Sequence, residues 1–259
     1  MKSLLPACFL AAAAFAAEVP LDHARYAAAL KEFRAQDGRS LATLRATGKS
    51  AEERRAAIDD VRERLVDEPA GPLTKEVAAL LAQASPAEAR LLLAALAEAK
   101  AAGATTAVAA LAGQAGSPVR VDAALALAEI GGAKAVPVLA GLAKDEAIAE
   151  EVVNALAKVS GPGVTEAFNA GIRDAKAELP GRFALIKAAV VRNNRAVAAA
   201  LCATVLEEPL RLESQKALLK LATSADLPAL RQAEQAVANA ATKAALGRLI
   251  AKLEKPEGK

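Results

Sequence analysis

The sequence predicts an all-α protein, and within that class an α-solenoid of stacked antiparallel helix hairpins. Hydrophobic residues make up 54% of the 259 residues but aromatic residues only 2%, so Ala, Leu, Val and Ile must fill the core. Such side chains suit helices that pack closely in thin layers, and the bias towards Ala, Leu, Glu, Lys and Arg favours helix formation. A short Ala/Leu-rich segment also recurs at regular spacing, with helix-breaking residues between its copies. Repetition of this length is typical of stacked helical repeats.

Residues 1–16 are predicted to form a secretory signal peptide. Lys2 precedes an apolar run from Leu4 to Ala17, and Ala14-Phe15-Ala16 offers a small-residue cleavage pattern. These are the three parts of an export signal, and the run is too short to span a bilayer comfortably. We therefore expect cleavage after Ala16 and a periplasmic or secreted mature chain without a membrane span.

Two other interpretations of this segment stay open. In the first, the apolar run remains uncleaved as a short membrane anchor. In the second, Leu5 to Cys8 acts as a bacterial lipobox, so that Cys8 is lipidated and the protein is an anchored lipoprotein. Pro6 within the box disfavours the second interpretation, as does an apolar run that lies mostly after Cys8.

Residues 17–84 are predicted to be a helical cap of degenerate repeats. Ser50 with Glu53 three residues later is a capping-box signal for a helix start. Prolines 69 and 72 mark a break after that helix. Charged residues are denser here than in the region that follows, which is expected for the polar outer face of a terminal repeat.

Residues 85–254 are predicted to form the repeat array. The recurring segment begins at residues 95, 126, 155 and 217, and a degenerate copy begins at residue 186. The steps between successive starts are nearly equal once the degenerate copy is included. A short Ala/Leu match is weak by itself in an Ala-rich chain, but agreement of spacing across the copies indicates a true repeat.

Each copy carries the same signals for helix starts and ends. Ser85-Pro86 and Ser117-Pro118 predict N-caps followed by Pro at the first helical position. Gly131-Gly132 predicts the end of the helix over 118–130. Helical spacing over the pair 118–145 predicts these apolar positions: Val121, Ala124, Leu125 and Ala128 in the first helix, and Val136, Leu139 and Leu142 in the second.

The same order predicts the remaining pairs. Asp145 begins the turn into the next pair, and further pairs are predicted over 146–173, 180–206 and 209–233, with breaks at 160–163, 192–195 and near Ser224. A final helix or helix pair is predicted over 233–254. Residues 255–259 are predicted to be a disordered tail.

The array resembles the HEAT-repeat family, and more narrowly the short bacterial HEAT-like repeats of the phycobilisome-lyase type. The matching residues are Pro118-Val119-Arg120, Ala124 to Gly131, Val136 to Leu139, Leu142 and Asp145. The resemblance implies a right-handed superhelix, and a ladder in which a turn Asp bonds an Arg on the following helix. We expect the ladder to be incomplete, because Ser117 stands in the turn before Arg120 and no Arg follows Asp145.

No residue pattern predicts catalysis, a metal site or a cofactor. His23 is the only histidine, whereas metal sites use several His, Cys or clustered carboxylates. The pairs Asp59-Asp60 and Glu150-Glu151 point about 100° apart on a helix and cannot flank one bond. The glycines at 161, 163 and 171 predict a helix break rather than a phosphate loop. Cys202 lies in an apolar helical run and is predicted to be inert, with an intermolecular disulfide as the alternative.

The predicted function is a non-catalytic scaffold that binds another protein along the solenoid face. Arg192, Asn193, Asn194 and Arg195 are the candidate partner contacts, because they offer many donors at a turn; a solvated turn is the alternative. An enzyme accessory factor or lyase-like protein is the alternative function that the resemblance implies. The net charge of +3, with interspersed signs and few aromatic residues, disfavours nucleic-acid binding. The partner and the oligomeric state stay open.

Overall fold

The structure is a computed structural model that describes residues 23–255, and within this range the chain is all-α. It contains fourteen α-helices and no strand in the described part. The predicted signal peptide, the Cys8 lipobox and residues 256–259 of the predicted tail lie outside the described residues.

Most helices are short, and the two longest stand at the start. Their bounds are α1 His23–Arg45, α2 Ala51–Asp67, α3 Pro72–Leu80, α4 Pro86–Glu98, α5 Thr105–Ala112, α6 Arg120–Ile130, α7 Ala135–Leu142, α8 Ala149–Lys158, α9 Val164–Arg173, α10 Leu179–Val191, α11 Ala198–Thr204, α12 Arg211–Leu221, α13 Leu227–Ala236 and α14 Ala240–Leu253. Short 3-10 turns lead into α5, α7, α8, α11 and α13.

The helices pack in two layers. Each even-numbered helix from α2 to α12 contacts the next even-numbered helix, and each odd-numbered helix from α1 to α11 contacts the next odd-numbered one. Contacts between consecutive helices, such as α5 with α6 and α11 with α12, join the layers. The apolar stripe of each helix is therefore buried by neighbours in its own layer and in the facing layer.

The recurring Ala/Leu segment supplies the centre of the core. Leu96, Leu127, Leu156 and Leu218 occupy the same place in four even-numbered helices, and all four are fully buried. In the degenerate copy Lys187 takes this place and is exposed, while α10 buries Leu185 and its neighbours Ala188 and Ala189. The recurring segment therefore lies where the two layers of helices contact each other.

The predicted apolar stripe of α6 is only partly correct. Ala124 and Ala128 are buried as predicted, but Val121 and Leu125 are only half-buried. Other residues, including the fully buried Leu127, face the core instead. The difference arises because α6 is covered from several sides, by α4, α5, α7 and α8, so a single stripe does not describe its buried surface.

The predicted helix starts are confirmed at Ser50 and Ser85 and wrong at Ser117. Ser50 and Ser85 each form a capping box with the Glu three residues later. After Ser117, by contrast, α6 begins only at Arg120, and no side chain caps it. The reason is a turn closed by the Arg120 N–H, which donates to the Ser117 carbonyl at 3.2 Å and replaces the first helical turn.

The predicted breaks within the helix pairs are confirmed. Lys100, Gly132 and Asn193 follow α4, α6 and α10, and each adopts a left-handed backbone with φ between 50° and 52°. Gly161 and Gly163 play this part after α8. Because left-handed residues reverse the chain after a helix, the turns after α4 and α10 adopt this conformation although neither residue is Gly. After α12 the chain turns instead through Ala222 and Thr223, which have an extended backbone.

Arginine side chains link successive helix pairs, and this ladder is more complete than the sequence predicted. Arg120 on α6 pairs with Asp145 in the next turn and donates backwards to the Ala112 carbonyl at 2.9 Å. Arg182 on α10 donates to both carboxylate oxygens of Glu207, at 2.7 and 2.8 Å, and backwards to the Ile172 carbonyl at 2.9 Å.

No Arg follows Asp145 on the next helix, as expected from the sequence, but Asp145 nevertheless has an arginine partner. Its partner comes from the preceding helix pair, 25 residues earlier, rather than from the following helix. Arg54 makes a related link from α2, to Glu88 on α4 and back to the Ala46 carbonyl. Each of these arginines joins a backbone carbonyl at the end of one helix to an acidic side chain of the next helix pair.

The Arg54–Glu88 link predicts a pH dependence of stability. The Arg54 guanidinium and the Ser85 cap lower the pKa of Glu88 from 4.5 to about 2. A carboxylate with a depressed folded-state pKa stabilises the fold above its ordinary pKa, and that contribution is lost as the pH falls from 4.5 towards 2. We expect Glu88→Gln to lower the free energy of unfolding by about 1–2 kcal/mol at pH 7, and the difference from wild type to shrink as the pH falls towards 3.

Urea unfolding at several pH values measures this difference. Glu63→Gln is the control, because Glu63 is exposed on α2 and forms no ion pair among the described residues, so its substitution should change the free energy of unfolding by less than about 0.5 kcal/mol at each pH. A difference between wild type and Glu88→Gln that stays constant from pH 7 to pH 3 would contradict the assignment.

Candidate functional site

The predicted segment from Arg192 to Arg195 lies in the turn between α10 and α11. Arg192 follows the last residue of α10, Asn193 has the left-handed backbone, and Arg195 begins a 3-10 turn. Asn193 and Arg195 are not buried, whereas Arg192 and Asn194 are held by contacts with the fold. The turn thus brings the four predicted residues together, but it does not leave all of them free for a partner.

Arg192 is used inside the fold. Its guanidinium lies 5.0 Å above the centre of the Phe168 ring on α9. It also donates to the Val159 carbonyl, at the end of α8, at 2.9 Å. Burial lowers the pKa of Arg192 from its ordinary value. Arg192 therefore joins three helices.

Asn194 is held through its backbone N–H, which donates to the Ala189 carbonyl at 2.9 Å. Its side-chain Nδ2 is buried without a hydrogen-bond partner among the described residues. On the adjacent α9, Asn169 donates from its Nδ2 to the carbonyls of Thr165 and Ala196. These contacts fix the backbone of the turn against α9.

The residue before this segment, Val191, was missed by the sequence analysis. Its side chain is 63% exposed, more than any other large apolar side chain in the described part. The available signal was its place as the last residue of α10, beyond the buried residues of that helix. Two shallow grooves meet at Val191, one on the α8 side of about 470 Å³ and one on the α12 side of about 260 Å³.

The two grooves define what we call the Val191 surface. Lys158 and Val191 line the groove on the α8 side. Val191 also lines the groove on the α12 side, together with Lys187, Lys216 and Lys220. The surface comprises Lys158, Lys187, Val191, Lys216 and Lys220.

The positive charge of this surface is largely uncancelled. Lys158, Lys187 and Lys220 have no ion-pair partner among the described residues, and Lys216 bonds Glu213 at 2.8 Å on its own helix. Earlier helices of the same layer have paired cations. Arg62 on α2 pairs with Glu98 on α4, and Arg90 on α4 pairs with Asp122 on α6. The Val191 surface is therefore a basic and apolar part of the even-numbered layer.

A larger groove of about 780 Å³ lies between α7, α9 and the start of α10. Small residues such as Ala140 and Gly141 line it, and charges of both signs stand at its rim, where Lys144 and Glu178 approach to 3.8 Å. Gly181 lets α10 approach α7 here, since a Cβ at this position would lie 2.8 Å from the Ala140 carbonyl oxygen. The small side chains on these closely packed helices therefore account for the groove.

No cluster of three or more metal-ligating side chains is found in the part of the chain that the structure describes. His23 is the first residue of α1. Glu150 and Glu151 lie in the first turn of α8, where Glu151 lines the groove on the α8 side of Val191. No helix among residues 23–255 is long and apolar enough to cross a bilayer.

Cys202 is buried in α11, and burial raises the pKa of its thiol to about 11. Because the thiolate is the reactive form, we expect the folded chain from Ala17 onward, whose single cysteine is Cys202, to react with a maleimide at pH 8 at least about 100-fold more slowly than the same chain in 6 M guanidinium chloride. Mass spectrometry of timed samples measures both rates. Reaction of the folded protein as fast as that of an exposed thiol would contradict the buried position.

Comparisons with known proteins found no matching family model, curated protein or solved structure.

Proposed function

We propose that the protein is an exported, non-catalytic interaction module. In this proposal its helix pairs form a HEAT-like α-solenoid with a right-handed superhelix, and a partner protein binds along one face of the stack. The observation that carries the proposal is the packing of each even-numbered and each odd-numbered helix on the next of its kind. Stacked pairs of this kind present an extended surface along one face of the helices, which suits protein binding.

Export is supported by the sequence of residues 1–16, with its basic start, apolar run and small-residue cleavage pattern. Mass spectrometry of the protein purified from fractionated bacterial cells tests it. The expected result is a chain that begins at Ala17 in the periplasmic or secreted fraction. A full-length chain in the cytoplasm would contradict export, and a lipid on Cys8 would indicate the lipoprotein alternative.

Partner binding is tested by affinity capture with the mature chain. The tagged protein is immobilised and exposed to envelope extract at moderate salt, and retained proteins are identified with and without excess untagged protein as competitor. We expect at least one protein to be retained and to disappear in the competed sample. Repeated failure to find a competed protein, in envelope and secreted fractions alike, would count against the proposal.

A further inference from the structure

We propose that the Val191 surface binds an acidic segment of a partner protein, with an apolar side chain of that segment covering Val191. This inference rests on the proposed function, because it names where on the module the partner binds and what chemistry the partner carries.

The apolar part of the argument is the position of Val191. Its side chain is 63% exposed, and the grooves on its two sides both include it in their lining. The groove on the α8 side adds the half-buried Leu125, and the groove on the α12 side adds the half-buried Val190. An extended segment that crosses from one groove to the other would therefore pass over Val191.

The electrostatic part of the argument is the sign of the charge around Val191. Lys158 stands on one side, and Lys187, Lys216 and Lys220 stand on the other. Opposing carboxylates in the same grooves are Glu151 and Glu213, and Glu213 already bonds Lys216. The surplus of positive charge selects a negatively charged occupant, because complementary charge raises the association rate and excludes basic segments.

Helix electrostatics alone do not account for the surface. Lys158 and Lys220 lie in the last turns of α8 and α12, where a positive charge stabilises the helix end. Lys187 lies in the middle of α10, away from the helix end, and the uncharged side chain of Val191 is not stabilised by the helix dipole. The combination of unpaired lysines with an exposed valine therefore fits a binding face better than a set of helix caps.

The occupant is identified as a protein segment by the shape of the surface. Two shallow grooves separated by one exposed apolar side chain suit an extended chain that places alternating side chains on either side. The segment that fits carries Glu or Asp residues on both sides of a Leu, Ile or Val.

The test uses synthetic peptides and the mature chain. The probe is a short fluorescein-labelled peptide with a central Leu flanked by Glu residues. Two comparison peptides replace Leu with Ser or every Glu with Lys. Fluorescence anisotropy titrations give the dissociation constant at low salt and again at high salt.

Two surface variants and two matched controls complete the design. The surface variants are Lys187→Glu/Lys216→Glu/Lys220→Glu and Val191→Asp. The charge control is Lys243→Glu/Arg248→Glu/Lys252→Glu, which reverses three cations on α14. The apolar control is Val66→Asp on α2, where the side chain is 49% exposed. Circular dichroism confirms that each variant is folded.

We expect the acidic Leu peptide to bind the wild-type chain and to bind more weakly at high salt. Each surface variant should weaken this binding about tenfold, and each control should change it less than about twofold. The Ser peptide and the Lys peptide should both bind about tenfold more weakly than the Leu peptide.

Three results would overturn the inference: no binding of the acidic peptide to wild type, equal binding of the acidic and basic peptides, or equal loss in the surface and control variants. The affinity capture separates this failure from failure of the proposed function. A partner that is retained equally by wild type and by the surface variants leaves the function standing and excludes this surface. If wild type retains no competed partner, the proposed function itself fails.

Discussion

Replacing Arg182 with Ala is expected to lower the free energy of unfolding by about 3–4 kcal/mol, close to the range for breaking a buried ion pair from one side. The Arg182 side chain is 3% exposed and donates three hydrogen bonds, two to Glu207 and one to the Ile172 carbonyl. Its removal leaves the buried carbonyl without its donor and the partly buried Glu207 carboxylate without its counter-ion. Urea unfolding followed by circular dichroism measures the change.

Two further variants make the Arg182 prediction specific. Arg182→Lys keeps the charge but cannot reproduce the two-pronged contact with Glu207, so we expect an intermediate loss of about 2 kcal/mol. Arg195→Ala removes an arginine from the nearby turn and should change the free energy by less than about 0.5 kcal/mol. Equal effects of Arg182→Ala and Arg195→Ala would show that the ladder contributes nothing to stability.

Replacing Phe168 with Ala is expected to lower the free energy of unfolding by about 3–5 kcal/mol. Phe168 is the largest fully buried side chain of the described core, and its ring also supports the Arg192 guanidinium. The substitution leaves a cavity between α9 and its neighbours, and Arg192 loses its aromatic contact. The same unfolding measurement gives the change.

Phe183 is the control for this second prediction. It is only half-buried, beside a shallow groove at the start of α10, so Phe183→Ala should cost about 1–2 kcal/mol. A double variant of Phe168 and Arg192 should lose less than the sum of the two single changes, because the side chains share one contact. Additive losses would indicate that the ring and the guanidinium do not stabilise each other.

The helices and most of their ends could be predicted because their signals are local. The capping boxes at Ser50 and Ser85 need only residues three apart, and the break at Gly131-Gly132 needs only two adjacent glycines. The prediction for the start of α6 depended on an incomplete signal. Arg120 stands three residues after Ser117, where Glu88 completes the capping box after Ser85, and a backbone bond from the Arg120 N–H to the Ser117 carbonyl replaces the cap.

The long-range contacts were harder to predict because the partners are far apart in sequence. Arg120 and Asp145 were each singled out, but their pairing across 25 residues depends on how one helix pair sits on the next. The same holds for Arg192, whose donors looked free in the turn and are used on Phe168 and Val159. The Val191 surface combines residues from three helices, so only their packing brings it together.

Small-angle X-ray scattering of the mature chain tests most directly the claim that the repeats stack into an extended array. A compact domain of this length has a radius of gyration of about 18 Å. Seven helices in each layer, spaced about 9–10 Å apart, predict a radius of gyration of about 22 Å and a maximum dimension of about 65–75 Å. A radius of about 18 Å with a maximum dimension of about 50 Å would contradict the stacked array. The extended binding face on which the proposed function depends would then be contradicted as well.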